Sequence, residues 1–99
     1  MKYPTHECIQ PLESKTIQTH VTNVDTIRLT TVLVQVIYPN YSYYSIGVHA
    51  ANDGHAEFRM ISDVSRDASE AMDLFRTVSA GKVTPCTLEY VLSDCIGAL

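Results

Sequence analysis

From Ile27 to Tyr38 the chain reads Ile-Arg-Leu-Thr-Thr-Val-Leu-Val-Gln-Val-Ile-Tyr, a β-branched and aromatic run that predicts a strand. Its alternate positions are apolar on both sides, with Ile27, Leu29, Leu33 and Ile37 on one and Val32, Val34, Val36 and Tyr38 on the other. Pro39-Asn40 then reads as a turn, because proline presets φ and asparagine tolerates the left-handed region. A second strand is predicted over about 41–50 and a third over 55–61, separated by Asn52-Asp53-Gly54. Two hairpin registers are available there. A two-residue Asp53-Gly54 loop sets Val48 opposite Arg59 and Ile46 opposite Ile61, whereas a bulged three-residue loop sets Val48 opposite Phe58 and Ile46 opposite Met60. Pairing of apolar side chains favours the bulged loop, since a one-residue slip exchanges the two faces. That register predicts a core face of Tyr44, Ile46, Val48, Phe58 and Met60, and an outer face of Gly47, His49, Glu57 and Arg59.

The pattern then changes period. After a short connection over 62–66, Asp67 is the predicted N-cap of a helix over 68–80, with Glu70 completing a capping box. Ala71, Met72, Phe75 and Val78 form its apolar stripe, and Gly81 ends it in the left-handed conformation. Thr84 and Pro85 predict the cap and first position of a second helix. Its stripe is Leu88, Val91, Leu92, Cys95, Ile96 and Leu99. The sum is an α+β fold: an antiparallel meander of three or four strands with two C-terminal helices packed on one face. Residues 1–25 form an N-terminal arm or an extra edge strand, since Ile17, Thr19 and Val21 alternate with Gln18 and His20. Residues 26–99 form a single α+β domain.

Two helices cover one face of a sheet, yet the first strand predicted here has two apolar faces, the habit of strands buried on both sides. The surplus face must meet the N-terminal segment or a second copy of the chain. Self-association, with a dimer favoured, is the expectation, because an exposed valine row is a sizeable apolar patch and an unpaired strand edge invites aggregation.

Composition narrows the function classes. The 99 residues are 45% hydrophobic and 18% charged with a net charge of −4, which suits a small globular domain and disfavours non-specific binding to nucleic acid or anionic membranes. No run approaches the roughly 18 apolar residues of a membrane span, and the first seven residues do not read as a signal peptide. Cys8, Cys86 and Cys95 are an odd set that cannot close a disulfide framework. Reduced thiols and a cytoplasmic location are the expectation.

An ordered set of short segments carries a resemblance: Tyr44-Ser45-Ile46-Gly47-Val48, Asp53-Gly54, Ile61-Ser62-Asp63-Val64-Ser65, a helix, then Thr84-Pro85 with Leu88 and Val91. Over about 27–99 the chain resembles a small uncharacterised bacterial family, a domain of unknown function. The resemblance implies a hairpin-rich sheet followed by two helices and implies no activity, substrate or catalytic residue.

Candidate chemistry is sparse. Cys86 at the second position of a helix would have its thiolate favoured by the helix dipole. His49 opposite Glu57 would form an acid–base pair on a strand face, although a solvated cross-strand pair is the plainer reading. Asp63, Asp67, Glu70 and Asp73 fit capping better than a cation loop. His6 and Cys8 are too few for a zinc site. Tyr38, Tyr41, Tyr43 and Tyr44 gather at one turn, but no Lys or Arg lies between Arg28 and Arg59, so protein contact is favoured over base stacking. The second helix carries Glu89 and Asp94 and no basic residue, which argues against a DNA-reading role. No phosphate loop, nucleophile elbow or metal motif occurs, and no cofactor is implied.

The sequence therefore predicts a non-enzymatic protein-interaction module that associates with itself through its sheet and meets a further, unknown protein partner. Its expected interface residues are Val32, Val34, Val36, Tyr38, Tyr41 and Tyr43. The alternative is a small enzyme or ligand binder with a site between subunits, using Cys86, His49 or Glu57.

Overall fold

The structure is a computed structural model that describes residues 10–96; His6, Cys8 and Leu99 lie outside the described residues. Four strands run in chain order, β1 (Glu13–Val24), β2 (Ile27–Ile37), β3 (Ser42–Asn52) and β4 (His55–Ser65), followed by α1 (Ala68–Ala80) and α2 (Leu88–Ile96). The sheet is an antiparallel meander of order β1-β2-β3-β4. This is the α+β architecture anticipated, with the fourth strand present as β1.

The helices cover one face only. Leu29 and Leu33 of β2 and Ile46 and Val48 of β3 point into a core completed by Ala71, Leu74, Phe75 and Val78 of α1 and Leu88 and Leu92 of α2. Leu33 stands opposite Ile46 and Thr31 opposite Val48, which places these residues on one face of the pleat. The two apolar rows of β2 thus separate as their alternation requires: Leu29 and Leu33 under the helices, Val32, Val34 and Val36 on the other face.

The β3–β4 register differs from the bulged expectation. Asn52 pairs with His55, Val48 with Arg59 and Ile46 with Ile61, so the loop is Asp53-Gly54, with Gly54 at φ +68°. Phe58 and Met60 consequently leave the predicted core face and lie on the open face beside Gly47 and His49, while Glu57 and Arg59 turn to the helix side. Two physical facts decide against apolar matching. First, β4 is an edge strand, so its residues need not be buried; Arg59 instead reaches α2 and pairs with Glu89 at 2.9 Å. Second, Gly47 leaves a gap that Phe58 and Met60 fill, since a Cβ there would meet Met60 Cε and Phe58 Cζ at 3.0 Å.

Further boundaries move. The predicted 62–66 connection is strand up to Ser65, with a bulge that puts Asp63 at φ +55° and buries Val64 and Ser65. At the start of α1, Asp67 Oδ2 accepts the Glu70 N–H at 2.8 Å, as an N-cap should. The returning half of the capping box runs through Ser65, whose Oγ accepts from the Asp67 N–H at 3.0 Å and donates to Glu70 Oε1 at 2.8 Å. Gly81 is right-handed at φ −81°; the left-handed residue that turns the chain is Lys82 at φ +52°. Thr84–Thr87 is a tight turn closed by the Thr87 N–H to the Thr84 carbonyl at 3.1 Å, and regular helix begins only at Leu88. Cys86 is therefore not at the second position of a helix. Cys95, expected in the apolar stripe, is exposed.

Candidate functional site

The open face of the sheet is assembled by register. Its rows are Ser14, Thr16, Thr19, Val21 and Asn23 from β1, Arg28 through Val36 at alternate positions from β2, Tyr43 through Ala51 from β3, and Ala56, Phe58 and Met60 from β4. Among these paired rows Arg28 alone carries a formal charge, and it sits at one end. Val21 is 52% exposed and Phe58 57% exposed, while Val32, Val34 and Val36 between them are half-buried by their neighbours in the sheet. The corrected hairpin register thus enlarges the valine row with a phenylalanine and a methionine. His49 lies here with its ring 6.5 Å from that of Phe58.

The β2–β3 turn borders this face. The Tyr38 N–H donates to the Tyr41 carbonyl at 2.7 Å, which closes the turn and gathers three rings. Tyr38 stacks on Tyr41 at 4.9 Å between centroids, and Tyr43 lies 5.8 Å from Tyr38. Arg66 lies over the Tyr41 ring at 4.8 Å and reaches Asp63 Oδ2 at 3.3 Å. The neighbouring Tyr38 hydroxyl, then partial burial, favour the neutral phenol of Tyr43 and raise its pKa above the usual tyrosine value. Tyr44, the fourth tyrosine of the sequence cluster, points the other way and packs against the helix-covered core.

The three weak reactive candidates do not come together as expected. His49 pairs with Phe58, not Glu57, and the two lie on opposite faces. Glu57 instead meets Cys86, whose Sγ is 3.9 Å from Glu57 Oε1. The histidine beside Glu57 is His55, with Nε2 3.4 Å from Oε2. Sequence reasoning passed over His55, although spacing of two along a strand puts His55 and Glu57 on one face in any register. These groups rim a cleft of about 280 Å³ whose lining includes Ile27, Ala50, Ala51 and Pro85. Among the described residues no cluster of three or more His, Cys, Asp or Glu side chains could hold a metal ion. The acidic group near α1 is engaged locally: Asp67 caps, Asp63 pairs with Arg66, and Asp73 with Arg76 at 3.4 Å. No described helix is long and apolar enough to cross a membrane.

A small α+β sheet with one face left open by its helices is the class of protein these observations define. The chain belongs to DUF6514, a family of unknown function whose model matches residues 13–98. That span begins with β1 and so takes in the edge strand as well as the region from residue 27 onward. No curated protein and no solved structure matches the chain.

Proposed function

We propose that this protein is a non-enzymatic interaction module that associates with a second copy of itself, open sheet face against open sheet face. The observation that carries the reading is the charge-poor open face whose central apolar residues are Val32, Val34, Val36, Phe58 and Met60, which the helices leave bare. Four strands about 4.8 Å apart and eleven to twelve residues long at about 3.3 Å each make a face of roughly 700 Å². That is close to the roughly 800 Å² per partner of a standard stable interface. Two such faces pack about 10 Å apart with their side chains interdigitated. Self-pairing suits this surface because Arg28 alone is charged on it and stands at its end, so two copies meet without opposed charges at the centre. The tyrosines at 38, 41 and 43 supply rigid aromatic contacts at the margin, where their hydroxyls stay wet. A further protein partner would meet the same tyrosine-bearing turn. A reduced, cytoplasmic setting belongs to this reading, supported by the odd cysteine count of the sequence.

Sedimentation equilibrium tests it. The wild-type chain should sediment as a dimer at micromolar concentration and Val34→Glu as a monomer. Phe58→Ser, at an exposed position, should weaken the dimer and, by removing the packing over Gly47, lower the monomer's unfolding temperature only modestly, so the dimer is measured well below that transition. A wild-type chain that stays monomeric at high concentration overturns the proposal, as does a Val34→Glu dimer of undiminished affinity. A truncated chain lacking residues 1–9 separates the two possible occupants: loss of the dimer on truncation would assign the interface to that segment instead.

A further inference from the structure

We propose that the cleft between the β3–β4 turn and the Thr84–Cys86 segment is a binding site for a primary ammonium group on a short aliphatic chain. Its construction is independent of the open face, because Asn52, His55 and Glu57 project to the helix side. The apolar part of the lining is Ile27 from the start of β2, Ala50 and Ala51 from the end of β3, and Pro85. The small side chain of Ala50 keeps the space open, whereas that of Ala51 turns to the open face of the sheet, and Pro85 is held in place by the hydrogen-bonded turn around it. A volume of about 280 Å³ lies just below the range of small-molecule pockets, about 300–1,000 Å³, so the occupant is a chain of a few carbons.

The polar rim selects the charge. Glu57 accepts only, and no lysine or arginine lines the cleft. The nearest arginine on the same strand face, Arg59, is taken by Glu89. Among the described residues the partners of Glu57 are the His55 ring at 3.4 Å and the Cys86 thiol at 3.9 Å, a weak donor at long range. No backbone N–H of the Thr84–Thr87 turn reaches it; the Thr84 N–H goes to Thr87 Oγ1 at 3.3 Å instead. A half-exposed carboxylate beside apolar walls, with His55 as its neighbour and no lysine or arginine paired to it, is complementary to a hydrogen-bonding cation. An ammonium placed against Glu57 would lay its methylenes on Ile27, Ala50 and Pro85, which satisfies both halves of the lining at once.

The test is an NMR titration of the full chain with n-butylammonium chloride, with n-butanol and sodium butyrate as controls. Butylammonium should shift the amides of Ile27, Ala50, Ala51 and Cys86 saturably in the millimolar range, and neither control should do so. Glu57→Gln should weaken this binding about two- to five-fold, the scale of an ion pair at a half-exposed carboxylate, with the remaining spectrum unchanged. Ala50→Leu, which fills the cleft, should abolish it. Nα-acetyl-lysine methylamide as a further ligand distinguishes a free amine from a lysine side chain of a peptide as the source of the group. Equal binding of butanol, preference for butyrate, or no saturable shift in the cleft overturns the proposal.

Discussion

At the scale of single residues, backbone conformation and side-chain chemistry meet at a few positions. Gly54 holds φ +68° in a two-residue loop, with open space where a Cβ would stand. Its requirement is therefore conformational. Gly54→Ala should destabilise the fold by about 1 kcal/mol, the cost of a left-handed residue with a Cβ, read as a lower urea midpoint with unchanged slope. Tyr43 makes a second residue-scale case. Its pKa is raised because the adjacent Tyr38 hydroxyl and partial burial favour the neutral form. A folded value above the unfolded one means that the contribution is intact below the unfolded tyrosine value of about 10 and is lost as pH climbs through the higher folded value. Phenolate absorbance should show Tyr43 ionising later than an exposed tyrosine, and Tyr38→Phe should bring it back toward the ordinary range. A Tyr43 titration unmoved by Tyr38→Phe would contradict the assigned cause.

At the scale of elements, β1 stands apart. Its residues are exposed through most of the strand, and its extensive contacts are with β2 alone. Among the described residues its outer edge meets no further strand; the register shift at Ile17 and the charges of Glu13 and Lys15 are the protections it carries. β2 and β3, by contrast, are held by the core under α1. Hydrogen exchange should therefore open in two steps, with the amides of 13–24 exchanging at a lower free energy than those of 29–33 and 46–48. Equal protection across all four strands would show that β1 is clamped by something other than β2, and a dimer that covers its open-face row would have that effect. The polar alternation of residues 17–21 announced a strand, but twelve residues of it depend on the β2 ladder. An exposed edge strand need not be apolar, so its hydropathy pattern is weak.

At the scale of the whole molecule, the number of layers is the governing fact. Helices α1 and α2 bury one face, and the second apolar row of β2 is left over. The β4 register adds Phe58 and Met60 to that row, so the shortfall is larger than apolar matching in the hairpin implies. This is why the Val34→Glu and Phe58→Ser dimer measurements bear on the whole architecture: both residues are outside the covered core, and neither change removes a contact beneath the helices. The cleft has a different origin. It forms where two strand ends, a hairpin turn and the segment before α2 converge, and it exists within one chain.

What the sequence determined by itself is the kind and order of the elements. Runs such as 27–38 and the cap at Asp67 act through local sterics and periodicity, which neighbours in the chain suffice to set. The separation of Leu29 and Leu33 from Val32, Val34 and Val36 was legible for the same reason, because alternation in a strand is strict. Only the tertiary structure decided which hairpin register prevails, that Lys82 and not Gly81 turns left-handed, and that Cys86 meets Glu57 beside His55. Those outcomes depend on what packs above each strand and where each edge lies. Such long-range terms differ by no more than a few side-chain contacts between competing registers, and no local pattern encodes them.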